Sequence, residues 1–158
     1  MTKIKEAATT FLANKRIAVT GVSHAPQGHG GNIVYKRLKE HGYEVFAVNP
    51  NAAEVEGDPS YPNLASIPGG VEAVVICTSA EHADNTMAQA VDLGITSVWM
   101  HRSVGAGSVS PTATALGREH GITVIDGGCP LMFKPTSDPA HRMMCGLFKL
   151  TGKVPRTV

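Results

Sequence analysis

The sequence has almost no surplus charge of either sign. Fourteen Lys and Arg stand against thirteen Asp and Glu, for a formal net charge of +1. That balance excludes the broad basic field that nucleic acid or an anionic membrane surface would require. Cysteine is scarce and odd in number: Cys77, Cys129 and Cys145 lie far apart, a pattern that fits a reducing compartment and not a disulfide framework. No apolar run approaches the roughly 20 residues of a membrane helix. The first 15 residues intersperse Lys3, Lys5, Glu6 and Lys15 with small residues and lack the unbroken apolar segment of a signal peptide. A cytoplasmic protein without nucleic-acid or membrane partners is the expectation. Its 158 residues suit one domain, long enough to bury about 70% of its unfolded surface without help from disulfides or metals.

Two nucleotide motifs and one hydrolase motif are missing as well. A G-x-G-x-x-G directly after the first strand, with an acidic residue ending the second, would mark a dinucleotide site; Gly-Lys-Ser/Thr would mark a P-loop. Neither occurs. A G-x-S-x-G nucleophile elbow is absent too, so Ser103, His101 and Asp126 make a hydrolase triad only on paper.

What is present centres on residues 16–32. A short apolar run, Ile17-Ala18-Val19, reaches Thr20-Gly21 and passes into a polar loop containing Ser23, His24, Gly28, His29, Gly30 and Gly31. A helical pattern follows, with Asn32 read as its N-cap. Strand, Gly-rich loop and helix start together make a cradle for an anion: the helix N-terminus offers unpaired N–H groups and a partial positive charge, and glycine lets a phosphate approach. His24 and His29 have no Cys or carboxylate at metal-ligand spacing and read as solvated loop residues; no metal is expected.

The remaining pattern alternates. Residues 1–15 form a helix or arm with Ile4, Ala8, Phe11 and Leu12 on one side. Strands are expected at 16–21, 43–48, 73–77, 95–100 and 122–125, with a short edge strand within 55–62. Helices between them stop at Gly42, Gly94 and Gly121. Thr78 with Glu81 matches a capping box, and Ser110-Pro111 reads as N-cap plus first-turn proline. A last helix is expected near 141–150, within a C-terminal extension spanning 135–158. This rhythm predicts a single α/β domain over 1–158, with a doubly wound, mainly parallel sheet covered by helices on both faces. Ligands of such sheets lie beyond the strand C-termini at the switch point, here between the 21–32 loop and the turn at 77–81, with Asn49-Pro50 beside them.

Gly21-Val22-Ser23, Gly42-Tyr43-Glu44-Val45, Val48-Asn49-Pro50, Glu54-Val55-Glu56-Gly57, Tyr61-Pro62-Asn63-Leu64, Val98-Trp99-Met100 and Gly128-Cys129-Pro130 occur in that order. Together they resemble the stand-alone CoA-binding domain proteins, which are similar to the CoA-binding domain of the succinyl-CoA synthetase α subunit. The resemblance covers residues 14 to 134. It implies a Rossmann-like fold that binds coenzyme A or an acyl-CoA, and it implies no reaction. Carried over by position, Gly21, Val22 and Ser23, with His24 and Gly30 in the same loop, face the pyrophosphate. Asn49 and Pro50 border the adenosine, Cys77, Thr78 and Ser79 lie opposite, and Met100 and His101 flank the pantetheine path. The chain departs from many relatives at Asn51-Ala52-Ala53, where they carry a lysine able to meet the 3′-phosphate. Lys36, Arg37 and Arg102 are the substitutes at hand.

Three readings of function follow. The first is a CoA-binding module without activity of its own, whether or not it is a homodimer, in which occupancy reorders the 21–32 loop or the tail. The second is a CoA-dependent acyl-transfer or ligase component working with a partner chain. The third is an NAD(P)-binding protein. Cys129, with His101 as base, is the candidate thiol for covalent chemistry; the bland reading of Cys129 is an inert core thiol, as for Cys145.

Overall fold

The computed structural model describes residues 1–24, 30–105 and 107–158. Its strands are β1 (Arg16–Thr20), β2 (Glu44–Val48), β3 (Glu54–Val55), β4 (Asp58–Tyr61), β5 (Ala73–Ile76), β6 (Ser97–Met100) and β7 (Thr123–Asp126); its helices are α1 (Ile4–Leu12), α2 (Gly30–Glu40), α3 (Ala80–Asp92), α4 (Pro111–Glu119) and α5 (Pro139–Leu150). The seven strands form one sheet in the order β3-β4-β2-β1-β5-β6-β7. All pairs are parallel except β3–β4. The sheet is an α/β, Rossmann-like fold, as the alternating pattern predicts.

Successive strand residues face opposite sides of a sheet, and here both sides are covered. Ile17, Val19, Val75, Trp99 and Ile125 pack with Phe11 of α1, Val34 and Leu38 of α2 and Phe148 of α5. Their neighbours Ala18, Val74, Ile76, Val98 and Val124 pack with Ala83 and Met87 of α3 and Ala113 of α4. Two apolar faces per strand explain the unbroken Ala73-Val74-Val75-Ile76 run, whose four residues are all buried.

The edge strand resolves into a hairpin. Between β3 and β4 only Glu56 and Gly57 intervene, with φ of 50° and 78°, the two left-handed residues of a tight antiparallel turn. Glu56 holds this unfavourable conformation while its carboxylate accepts from Asn32 Nδ2 at 2.8 Å and lies 3.7 Å from Lys36. Tyr35 donates to Asp58 at 2.7 Å. The hairpin is thus fastened to α2.

Two helix starts differ from the sequence reading. Asn32 is not an N-cap: α2 already runs from Gly30, and Asn32 is buried inside it. Thr78 is not the cap of α3; Ser79 holds that place. Ser110 does cap α4, accepting from Ala113 N, and α5 begins slightly earlier than expected, with Asp138 accepting from His141 N at 2.8 Å. The tail returns to the start of the chain: Val158 N donates to Thr2 O at 2.9 Å, and Ile4 N to Arg156 O at 2.9 Å. No helix among the described residues is long and apolar enough to cross a membrane.

Candidate functional site

The sheet reverses winding direction between β1 and β5, and a cavity of about 450 Å³ opens there, at the strands' C-terminal ends. Its floor is the turn after β1. Gly21 has φ 75°, and a Cβ there would stand 2.5 Å from Cys77 O; only glycine lets the first loop cross β5 this closely. A Cβ on Gly31 would come within 2.8 Å of Gly21 O, so the start of α2 rests directly on the same turn.

The loop is held from two directions. Asn32 accepts from Ser23 N at 2.9 Å and donates to Ser23 O at 2.8 Å. Asn49 donates to Val22 O at 2.9 Å and accepts from Asn51 N at 2.8 Å. These two asparagines explain the fixed position of residues 22–23, and Glu56 braces the first of them. The Ser23 amide is committed to Asn32 and is not an anion donor.

The opposite wall is the start of α3. Ser79 makes no capping bond with its side chain; its hydroxyl lies 2.9 Å from His82 Nδ1. The Thr78 hydroxyl turns to Ser79 O at 3.3 Å, and Ser108 donates to Thr78 O. The first-turn N–H groups of α3 therefore meet no side-chain cap beside a cavity lined by Thr78, Ser79 and His82. An uncapped helix start at a cavity wall is suited to a phosphate.

Gly21, Val22, Ser23, Asn49, Pro50, Cys77, Thr78 and Ser79 all line this cavity. Four expected residues lie elsewhere. His24 is exposed and lines neither this cavity nor its neighbour. Met100 is fully buried in the α3–α4 face of the core. Gly30 and His101 line a separate chamber of about 80 Å³, with Ser103, Cys129 and His141. Gly28 and His29 fall outside the described residues. The sequence reading missed Pro62, Leu64 and one face of α3, namely His82, Asn85, Thr86 and Gln89. Their spacing of three and four is a helical stripe, visible in the sequence beside the apolar stripe that drew attention instead.

The candidate nucleophiles are quiet. Cys129 is buried and its thiol is pushed up to about 12 by desolvation; burial also raises Cys77 well above an ordinary thiol. Desolvation, with His141 nearby, lowers His101 to about 4. Asp126 pairs with Arg118 at 3.4 Å, so the paper triad of Ser103, His101 and Asp126 has no carboxylate arm. No cluster of metal-ligating side chains occurs among the described residues.

A family model described as "CoA binding domain" matches residues 15–135. The chain belongs to this CoA-binding family. Among curated relatives, the α subunit of the ADP-forming acetate–CoA ligase II of Pyrococcus furiosus is 33% identical over 89 residues, 56% of this chain and 19% of the subunit. The uncharacterized protein YneT of Bacillus subtilis is 28% identical over 73% of this chain and 82% of its own length. A hypothetical protein of Pyrococcus horikoshii OT3 superposes with TM-score 0.69 at 31% identity, over 76% of this chain and 82% of that one. The chain spans 10% to 19% of the length of the acetate–CoA ligases it matches. The match supports a CoA-binding domain related to ligase subunits.

Proposed function

We propose that this CoA-binding domain holds the ADP end of coenzyme A or an acyl-CoA in the 450 Å³ cavity, and that it acts as a binding module without catalysis of its own. The observation that supports this most is the wall pair: the Gly21 turn on one side and the uncapped first turn of α3 on the other. Backbone N–H groups and the α3 dipole take the diphosphate. Val48, Pro50, Pro62 and Leu64 supply apolar surface for adenine, while Asn49 acts through the loop that it braces. The high thiols of Cys77 and Cys129 and the low basicity of His101 favour binding over covalent chemistry.

Calorimetry with CoA, acetyl-CoA and NAD tests this reading. Micromolar-range binding of CoA or acetyl-CoA and none of NAD is the expected result; heat from NAD alone overturns it. A second reading, a ligase component completed by a partner chain, draws on the acetate–CoA ligase relatives. Turnover of acetyl-CoA by the isolated protein would contradict both the silent module and the need for a partner.

A further inference from the structure

The chemistry of the cavity wall says more about its ligand than the fold does. Of the described residues that line it, none is Lys, Arg, Asp or Glu. Residues 25–29, Ala-Pro-Gln-Gly-His, add no lysine or arginine to the first loop. The three basic residues that could stand in for the relatives' lysine have partners elsewhere: Lys36 faces Glu56 at 3.7 Å, Arg37 faces Glu40 at 3.9 Å, and Arg102 Nε donates to Gly105 O at 3.3 Å. Cations are not lacking in the chain. Lys5, Lys134, Arg142 and Lys149 line a different cavity, between α1 and α5.

The α3 start can balance one anionic group, the diphosphate. The 3′-phosphate, carrying up to two further charges, would find no Lys or Arg among the described lining residues to meet it. The wall instead offers carboxamides. The side chains of Asn51 and Asn85 line the cavity and make no hydrogen bond among the described residues. A carboxamide both donates and accepts, which matches a neutral ribose hydroxyl and matches a phosphate only through its N–H₂ half.

We propose that this cavity reads the adenosine ribose as a free 3′-hydroxyl, so that dephospho-CoA is bound at least as well as CoA. The inference rests on the reading that the cavity holds the ADP end of a CoA-type molecule. It names which member of that class the wall suits. Asn51 is the specificity-determining position, because it is exposed, on the rim, and directly after the Asn49-Pro50 corner.

The test is calorimetry at one ionic strength with CoA and dephospho-CoA, then with the fragments AMP and adenosine 3′,5′-bisphosphate, which differ by the 3′-phosphate alone, on the wild type and on Asn51→Lys. The expected wild-type result is a dephospho-CoA Kd equal to that of CoA or lower, with the same order for the fragments. The expected variant result is CoA tightened by roughly three- to tenfold, as for a new charge-assisted contact, with dephospho-CoA unchanged. CoA bound tighter than dephospho-CoA by the wild type, beyond the error of the titration, overturns the inference and leaves CoA binding standing. Failure of both to bind overturns the inference together with the reading beneath it. Equal tightening of both ligands by Asn51→Lys also counts against it, since the added charge would then be sensing the diphosphate.

Discussion

Gly21 concentrates the site's geometric demands in a single residue. Its φ of 75° and the 2.5 Å that would separate a Cβ from Cys77 O act together. Gly21→Ala is expected to cost about 1–3 kcal/mol from backbone strain alone, before the clash is relieved. Urea denaturation measures that cost, and loss of CoA heat at temperatures where the variant stays folded separates site damage from unfolding. His101 makes a prediction of a different kind. Its folded pKa, about 4, lies below the ordinary 6.5. Between those values the unfolded chain takes up a proton that the folded chain does not. Stability therefore falls as pH drops from about 6.5 to about 4, by on the order of 2–3 kcal/mol, and this contribution is constant below that window. His101→Gln should flatten the melting temperature across the same interval. The carboxylates with lowered pKa, Asp58 held by Lys39 and Tyr35 and Asp138 held by the His141 amide, give up their share only at lower pH, as they protonate.

At the level of elements, glycines in two helices separate packing from propensity. A Cβ on Gly117 in α4 would meet Val124 Cγ2 at 2.6 Å and Met87 Sδ at 2.8 Å; one on Gly146 in α5 meets nothing within 4 Å. Gly146→Ala is expected to stabilise by up to about 1 kcal/mol through helix propensity. Gly117→Ala gains the same propensity and loses about 1–3 kcal/mol to overpacking. Thermal melts of the two variants should move in opposite directions. The sequence made the elements themselves legible because their signals are local: apolar runs for doubly covered strands, glycine stops at 42, 94 and 121, and Ser110-Pro111 at a helix start. Asn32 and Thr78 misled for one shared reason. Each has the right side chain for a cap, and capping was the only local use that the sequence offered for it. The use of Asn32 is tertiary, a brace on Ser23 nine residues earlier, and the Thr78 carbonyl accepts from Ser108, thirty residues later. The same limit hid the α3 contribution to the cavity. Its polar stripe reads as solvent-facing until Leu64 and Pro62 are seen opposite.

For the whole molecule, the two faces of the sheet divide the work. The α3 face builds the cavity wall, and the α1–α5 face ties the chain's ends together. Phe11 carries much of that tie: it is buried against Trp99, edge to face, with ring centroids 5.3 Å apart. Phe11→Ala is expected to cost about 3–5 kcal/mol and, because the backbone pairing of residues 2–4 with 156–158 leans on the same helix, to raise hydrogen exchange at both ends at once. The cavity lies at the switch point and not at this edge, so CoA affinity measured below the variant's melting range should change little. A large loss of affinity there would mean that the two faces are coupled more tightly than their separate cores imply.

Trp99 is the chain's single tryptophan. It is fully buried, sits between Phe11 and Phe133, and has its indole N–H given to Gly127 O at 2.9 Å. That placement makes it a native fluorophore for the seam between the ends of the chain. Its emission should stay blue while α1 remains docked and turn red when the seam opens, with no label attached.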